Sequence, residues 1–319
     1  MTAITHAKQV QADHDYWRVY YNADVLARAD ALRKEYTISS TGVAIHIDAY
    51  EQSDATAPVF IFNHGGGGYS RLFIPLALEM HSRGYTVLVP DQRGQGLSGG
   101  NRSDFTMGQF VQNILDVASW ADEKYAGTLF MGGGSLGGAL TYKAAVVGTP
   151  ARAIVCHNLY DFGNPRDTLA VSIFSPLANL PLLPSLFATV TRLSAAVFPT
   201  LRIPYKMLGR FDKMVDERNT DFYAKYQRDP YPIKAISLRY MASTFSTPPA
   251  IPFEQNTVPV LVINQARDKM VDPALTRRNY ERLGGEKAYA EIDYGHWAMG
   301  GNFEQEWVTL VNDFLQQYV

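Results

Sequence analysis

The sequence predicts a doubly wound α/β domain, built on a mostly parallel sheet and interrupted by a helical insertion. Three observations carry this reading. Short continuous apolar runs recur along the chain, helical periodicity fills the gaps between them, and the strand signal stops between residues 160 and 252 before it resumes. Apolar runs of this length, bounded by turn residues, mark strands covered on both faces. Their alternation with helices, joined by right-handed crossovers, produces the doubly wound arrangement.

Each element is justified by local pattern. Residues 1–35 stand apart as an N-terminal helical extension, because Trp17, Tyr21 and Val25 recur every four residues with no strand beside them. The expected role is packing on the core, with a dimer contact as the alternative. Residues 36–40 and 43–50 alternate apolar and polar positions around Thr41-Gly42 and predict a hairpin. Buried strands are expected at 59–63 (VFIFN), 86–90 (TVLVP), 129–131 (LFM), 153–156 (AIVC), 258–264 (VPVLVIN) and 289–294. Phe110, Ile114, Val117 and Ala118 lie on one helical face, and a second stripe runs from Phe303 through Trp307, Leu310, Val311, Phe314 and Leu315 to Tyr318. The core is thus assigned to residues 36–160 and 250–319. Residues 161–249 form a helical cap, in which Phe211, Val215, Phe222 and Tyr226 predict one helix and 233–245 another.

Composition narrows the function. At 319 residues, 46% hydrophobic and 19% charged, the chain has the make-up of a folded globular protein. Lys plus Arg number 29 against 31 Asp plus Glu, which leaves no surplus of positive charge for nucleic acid. The single cysteine, Cys156, has no intramolecular partner, and the first twenty residues lack an apolar signal region; both point to the cytoplasm. Residues 168–191 carry no charge and are long enough to span a bilayer, but Pro176, Pro181 and Pro184 each remove a helix hydrogen bond. Short apolar helices separated by turns are expected there instead of a membrane span, with an apolar surface left for a greasy ligand or a membrane face.

The chemistry gathers at the ends of the expected strands. Gly133-x-Ser135-x-Gly137 sits between a strand and a helix, the setting in which a strained turn projects a serine hydroxyl from the top of a sheet. No phosphate-binding signature accompanies these glycines, though a glycine-rich phosphate cradle is the competing reading of them alone. His64 is followed by four glycines, 65–68, whose backbone N–H groups are open to a ligand. With the N–H of Leu136, that of Gly66 is the first choice of donor to a developing oxyanion, with Gly65 and Gly67 behind it. A serine needs a base oriented by a third group. Asp268 and His296 each come after a later strand, and the order Ser, Asp, His fits successive loops at one end of such a sheet. His157 and Asn158, past the strand ending near Cys156, are candidate substrate contacts. His6, His14 and His46 stand apart from the nucleophile and its partners and read as mundane, His64 reads as a structural part of the glycine loop, and His81 lies in a helix. No metal or other cofactor is expected.

These motifs together resemble the α/β-hydrolase superfamily, and within it the monoacylglycerol lipase, lysophospholipase and serine aminopeptidase-like group. The resemblance is carried by His64-Gly65-Gly66, Asp91-x-Arg93-Gly94-x-Gly96-x-Ser98, Gly133-x-Ser135-x-Gly137, Asp268-x-x-Val271-Asp272 and Gly295-His296. It covers residue 37 to the C-terminus and implies a catalytic triad of Ser135, Asp268 and His296, with a structural role for the 91–98 loop. There are two departures: Gly134 precedes the serine where a larger residue is usual, and the glycine run is longer than usual. The expected activity is serine-dependent cleavage of a small carboxylic ester, of the carboxylesterase or lipase type, through an acyl-enzyme on Ser135. The Leu-, Phe-, Val- and Pro-rich cap favours a medium-chain or aromatic acyl group. Peptidase or amidase, lactonase and acyltransferase chemistry would use the same triad, and a non-catalytic ligand-binding protein on this fold is the alternative of a different class.

Overall fold

The computed structural model describes residues 15–319. His6 and His14, with the first part of the expected N-terminal extension, lie outside the described residues. In the described part of the extension, two helical pieces stand where one was expected. A 3₁₀ turn over Tyr16–Tyr20 ends at Tyr21, and α1 (Ala23–Leu32) starts afresh because the Asn22 side chain accepts from the Val25 N–H, 3.0 Å away. Trp17 is fully buried beneath three guanidinium groups, those of Arg18, Arg33 and Arg71, at 5.0, 4.8 and 5.3 Å from its ring centre.

The hairpin forms as its alternation predicts. β1 (Arg33–Ser40) and β2 (Val43–Tyr50) pair antiparallel from Arg33↔Tyr50 to Ser40↔Val43. Thr41 (φ 45°) and Gly42 (φ 77°) both take the left-handed conformation of a two-residue turn, whose twist matches the strands. His46 is not the context-free histidine that the linear sequence suggests. Residues i and i+2 share a strand face, so its Nε2 meets Asp48 at 3.0 Å, with Glu35 across the hairpin and Arg33 and Arg71 supplying the opposing charge.

Next come β3 (Val59–Asn63), α2 (Ile74–Ser82), β4 (Thr86–Pro90), α3 (Met107–Lys124), β5 (Leu129–Gly134), α4 (Leu136–Gly148) and β6 (Ile154–His157). The insertion holds α5 (Pro165–Ala170), α6 (Leu183–Val197), β7 (Arg202–Pro204), α7 (Thr220–Arg228), β8 (Ala235–Ser237) and α8 (Leu238–Thr244). The chain closes with β9 (Val260–Gln265), α9 (Pro273–Arg282), β10 (Lys287–Ile292) and α10 (Phe303–Leu315). An eight-stranded sheet runs in the order β1-β2-β4-β3-β5-β6-β9-β10, with β2 antiparallel to its two neighbours and the remaining pairs parallel. Strand periodicity then divides the core. Val59 and Ile61 pack on the α3 and α4 side, while Phe60 and Phe62 meet Trp307 of α10 on the other.

The insertion departs from the expected all-helical pattern. β7 and β8 pair antiparallel over three residues each, and Ser237 both ends β8 and caps α8 through the Tyr240 N–H, so the helix expected over 233–245 begins only at Leu238. The helix expected through Phe211, Val215, Phe222 and Tyr226 is also broken. Asp216 draws its own stretch out of helical bonding: its carboxylate accepts from the Arg218 and Gly295 N–H groups, and its N–H donates to Trp297 O. Only the part after residue 219 is α-helical, yet Phe211, Phe222 and Tyr226 remain buried.

The uncharged stretch 168–191 is divided among α5, a 3₁₀ turn at Ser175–Leu177 and α6, and among the described residues no helix is long and apolar enough to cross a membrane. Leu182, Leu186, Val190, Leu193 and Val197 lie exposed along one outward face of this region.

Lys143 of α4 ties the insertion to the core, donating to the carbonyls of Phe162 (2.8 Å) and Thr247 (2.5 Å). Burial pushes its ammonium down to about 7, from 10.5 in an exposed lysine. Between those two values the unfolded chain holds a proton that the folded chain has released, so stability rises with pH across this window. The urea midpoint of Lys143→Met should climb less from pH 7 to 10 than that of the parent protein.

Candidate active site

β5 ends on Gly134, and Ser135 turns the chain into α4 with φ 54° and ψ −120°, a conformation costly for a residue with a side chain. Its N–H is held by His157 O at 2.8 Å. The flanking glycines are required by close approach. A Cβ on Gly133 would lie 2.5 Å from the Gly137 carbonyl carbon, and one on Gly137 would lie 2.0 Å from Asn63 O. At Gly134 a Cβ would meet only Phe62, at 3.8 Å, so the unusual glycine leaves this side of the serine open.

The structure brings Ser135, His296 and Asp268 together. His296 Nε2 lies 3.1 Å from Ser135 Oγ, and its Nδ1 lies 2.7 Å from Asp268 Oδ2. The other oxygen of Asp268 accepts from the Met270 and Val271 N–H groups, each at 2.8 Å. Asp272 faces elsewhere, accepting from the Ala274 N–H at 2.9 Å as the cap of α9, just ahead of Pro273. Gln265 Nε2 donates to His296 O at 2.8 Å and steadies the last loop.

The glycine run lies beside the serine. Gly67 donates its N–H to Gln95 Oε1 at 3.1 Å and Gly68 to Gly65 O at 3.1 Å, which removes Gly67 from the candidate oxyanion donors. The N–H groups of Gly65, Gly66 and Leu136 meet no acceptor among the described residues. His64 is buried and accepts the Gln92 N–H at Nε2 (3.0 Å), and Asp91 receives the Ser70 and Leu97 N–H groups, so the 91–98 loop braces the glycines from below. From above, two tyrosines of the insertion fill the space that side chains would take. A Cβ on Gly66 would fall 2.2 Å from Tyr205 Oη, and one on Gly67 would fall 2.5 Å from Tyr226 Oη, which donates to Gly67 O at 2.8 Å. The long glycine run is thus the complement of these two hydroxyls.

Ser135 and His296 open into a cavity of about 210 Å³ beneath the insertion, walled by aromatic and aliphatic side chains such as Phe62, Phe73, Leu169, Phe187 and Phe245. No lysine or arginine lines it among the described residues. His157 forms part of this wall. Asn158 does not: its backbone turns left-handed (φ 66°), and its amide is buried against Gln265 Oε1 at 2.7 Å, so the expected substrate contact is corrected to a strut between β6 and β9. Two further residues of the wall carried no marker in the sequence. Tyr160 lies beside Ser135 with its hydroxyl buried, and burial with the Asp268 charge holds this phenol well above 10. Burial likewise pushes Tyr205 up to about 12. Both stay neutral donors. Among 19 tyrosines, nothing in their spacing singles these out.

A mostly parallel eight-stranded sheet, with a serine on a strained turn at one strand end and a histidine and an aspartate on later loops, defines an α/β-hydrolase. The profile described as "Serine aminopeptidase, S33" matches residues 54–297, and the chain belongs to this hydrolase family. Among solved structures, the monoacylglycerol lipase of Paleococcus ferrophilus is similar in fold, at 20% identity and TM-score 0.65 over 86% of this chain and 99% of that one. A soluble variant of monoglyceride lipase from Saccharomyces cerevisiae, in complex with a substrate analog, shares 15% identity at TM-score 0.69 over 90% and 95%. Est1E from Butyrivibrio proteoclasticus, solved with ferulic acid, shares 15% at TM-score 0.59 over 88% and 98%. No curated protein matches the chain by sequence.

Proposed function

We propose that the protein is a serine carboxylesterase that cleaves small esters with a medium-chain or aromatic acyl group. The observation that carries this reading is the continuous chain of contacts from Asp268 through His296 to Ser135, opening into an apolar cavity that no cationic side chain lines among the described residues. In this reading Ser135 Oγ attacks the ester carbonyl carbon while its proton passes to His296 Nε2, and the carbonyl electron pair moves onto oxygen. The imidazolium is held by Asp268. The oxyanion takes hydrogen bonds from the Gly66 and Leu136 N–H groups. Collapse expels the alcohol, which leaves with the proton from His296. Water then repeats the cycle on the acyl-enzyme and releases the acid. The insertion acts as the cap of the acyl site, and the buried, unpaired Cys156 fits a cytoplasmic setting.

The family's description raises aminopeptidase action as a second reading, which requires a carboxylate for the free amine of the substrate. Among the described residues Glu304 is the acidic side chain of the cavity wall, and both its oxygens already accept the Gly300 N–H, at 2.8 and 3.0 Å. That commitment favours the ester. A panel of 4-nitrophenyl esters of increasing chain length, run beside aminoacyl anilides, decides between the two: ester turnover with inert anilides is expected, and the reverse pattern makes the protein a peptidase.

The oxyanion assignment has its own test. Gly66→Val places a side chain where Tyr205 Oη now sits and displaces the loop N–H. A loss of about 10²-fold in kcat with little change in KM is expected. A rise confined to KM would move the donor elsewhere.

A further inference from the structure

His157 is the most unusual polar group of the cavity wall. It ends β6 opposite Gly134, its own carbonyl holds the Ser135 N–H, and its ring packs against Trp307. Trp307 Nε1 lies 2.8 Å from His157 Nδ1. An indole N–H can only donate, so Nδ1 is the acceptor and the proton of the neutral ring must sit on Nε2. Burial and the nearby His296 push the imidazole down to about 3, so this tautomer persists across the working pH range. Nε2–H is therefore a fixed, uncharged donor on a residue that lines the cavity, and among the described residues it has no acceptor.

An unmatched buried donor is costly, whereas the same donor is useful if a ligand completes it. We propose that His157 Nε2–H is a specificity contact, and that the substrate carries a neutral oxygen acceptor (keto, hydroxyl or ether) on the β6 and α10 side of its scissile bond. The acceptor is neutral because, among the described residues, the wall offers no lysine or arginine, His157 is uncharged, and Glu304 stands on the same wall to repel an anion. A plain hydrocarbon chain would leave the donor unmet. A carboxylate or phosphate would enter without a counter-charge. The inference rests on the esterase reading and narrows its substrate class to oxygen-bearing esters.

Replacement of single methylenes by ether oxygen tests it, since the two groups have nearly the same shape and, from position 4 of the acyl chain outward, the oxygen adds an acceptor with little inductive effect on the carbonyl. One arm scans positions 4 and 5 of 4-nitrophenyl hexanoate; the other compares 2-methoxyethyl hexanoate with butyl hexanoate, and together they show which half of the substrate bears the acceptor. The parent enzyme should prefer one oxa-isomer over its carbon parent by about fivefold or more in kcat/KM. In His157→Leu that ratio should fall to about one, and His157→Gln, which keeps an N–H donor, should restore part of it. A flat scan in both arms of the parent enzyme overturns the proposal, as does a preference that survives His157→Leu. Should His157→Leu fail to fold, the parent scan and His157→Gln still decide. Labelling of the parent enzyme by a fluorophosphonate separates the two levels: a labelled enzyme with a flat scan loses the His157 contact alone, and an unlabelled one loses the esterase reading.

Discussion

Ser135→Ala is expected to lose ester hydrolysis by about 10⁶-fold in kcat, leaving the slow background that binding and the oxyanion donors provide. The loss is this large because, among the described residues, no other hydroxyl is hydrogen-bonded to His296 Nε2, and Tyr160, beside the serine, is held neutral. The fold should survive. Ser135 Oγ contributes one hydrogen bond, to His296, while the N–H bond to His157 O and the packing of Gly133 against Gly137 are backbone features that alanine retains. Circular dichroism and the thermal midpoint should therefore match the parent protein, and esterase assays at high enzyme concentration measure the residual rate. A mutant that keeps more than a hundredth of the parent kcat would assign the nucleophile elsewhere.

Asp268→Asn is expected to cost about 10⁴-fold in kcat. With an aspartate opposite Nδ1, at 2.7 Å, that nitrogen carries the proton and Nε2 is free to accept from Ser135. An asparagine that turns its NH₂ toward Nδ1 reverses the tautomer and leaves Nε2 protonated against the serine hydroxyl. Asp272→Ala is the contrasting change. It removes the cap of α9 and should cost about 0.5 to 2 kcal/mol of stability while much of the activity remains. Steady-state kinetics and thermal melts of the two mutants check the division, and the opposite pattern would transfer the orienting role to Asp272.

The sequence made legible whatever is written in local pattern. Residues 59–63 and 86–90 read as strands with their observed limits, because an apolar run between turn residues has one use in a parallel sheet. The Ser135 turn was legible because its flanking glycines are imposed by backbone contacts under 3 Å. Asp268 and His296 could be found because a serine demands partners and strand order limits where they lie. What escaped depends on contacts distant in sequence. β7 and β8 are three-residue strands more than thirty positions apart, too short to show a period. Asp216 breaks a helix by bonding Gly295, 79 residues away. Asn158 reads as a site residue because it follows the strand ending near Cys156, and a left-handed turn sends it to Gln265 instead. The match of Tyr205 and Tyr226 to the glycine run belongs to two segments of the chain that only the folded insertion brings together.

Whether Ser135 is an activated nucleophile decides the chemistry of the whole site, and covalent labelling reads it out without a choice of substrate. The purified protein is incubated with a fluorophosphonate and the adduct is located by peptide mass spectrometry. Near-stoichiometric modification on Ser135 is expected, slowed strongly in Asp268→Asn and absent in Ser135→Ala. An unmodified protein, or an adduct on another residue that persists in Ser135→Ala, would contradict the assignment.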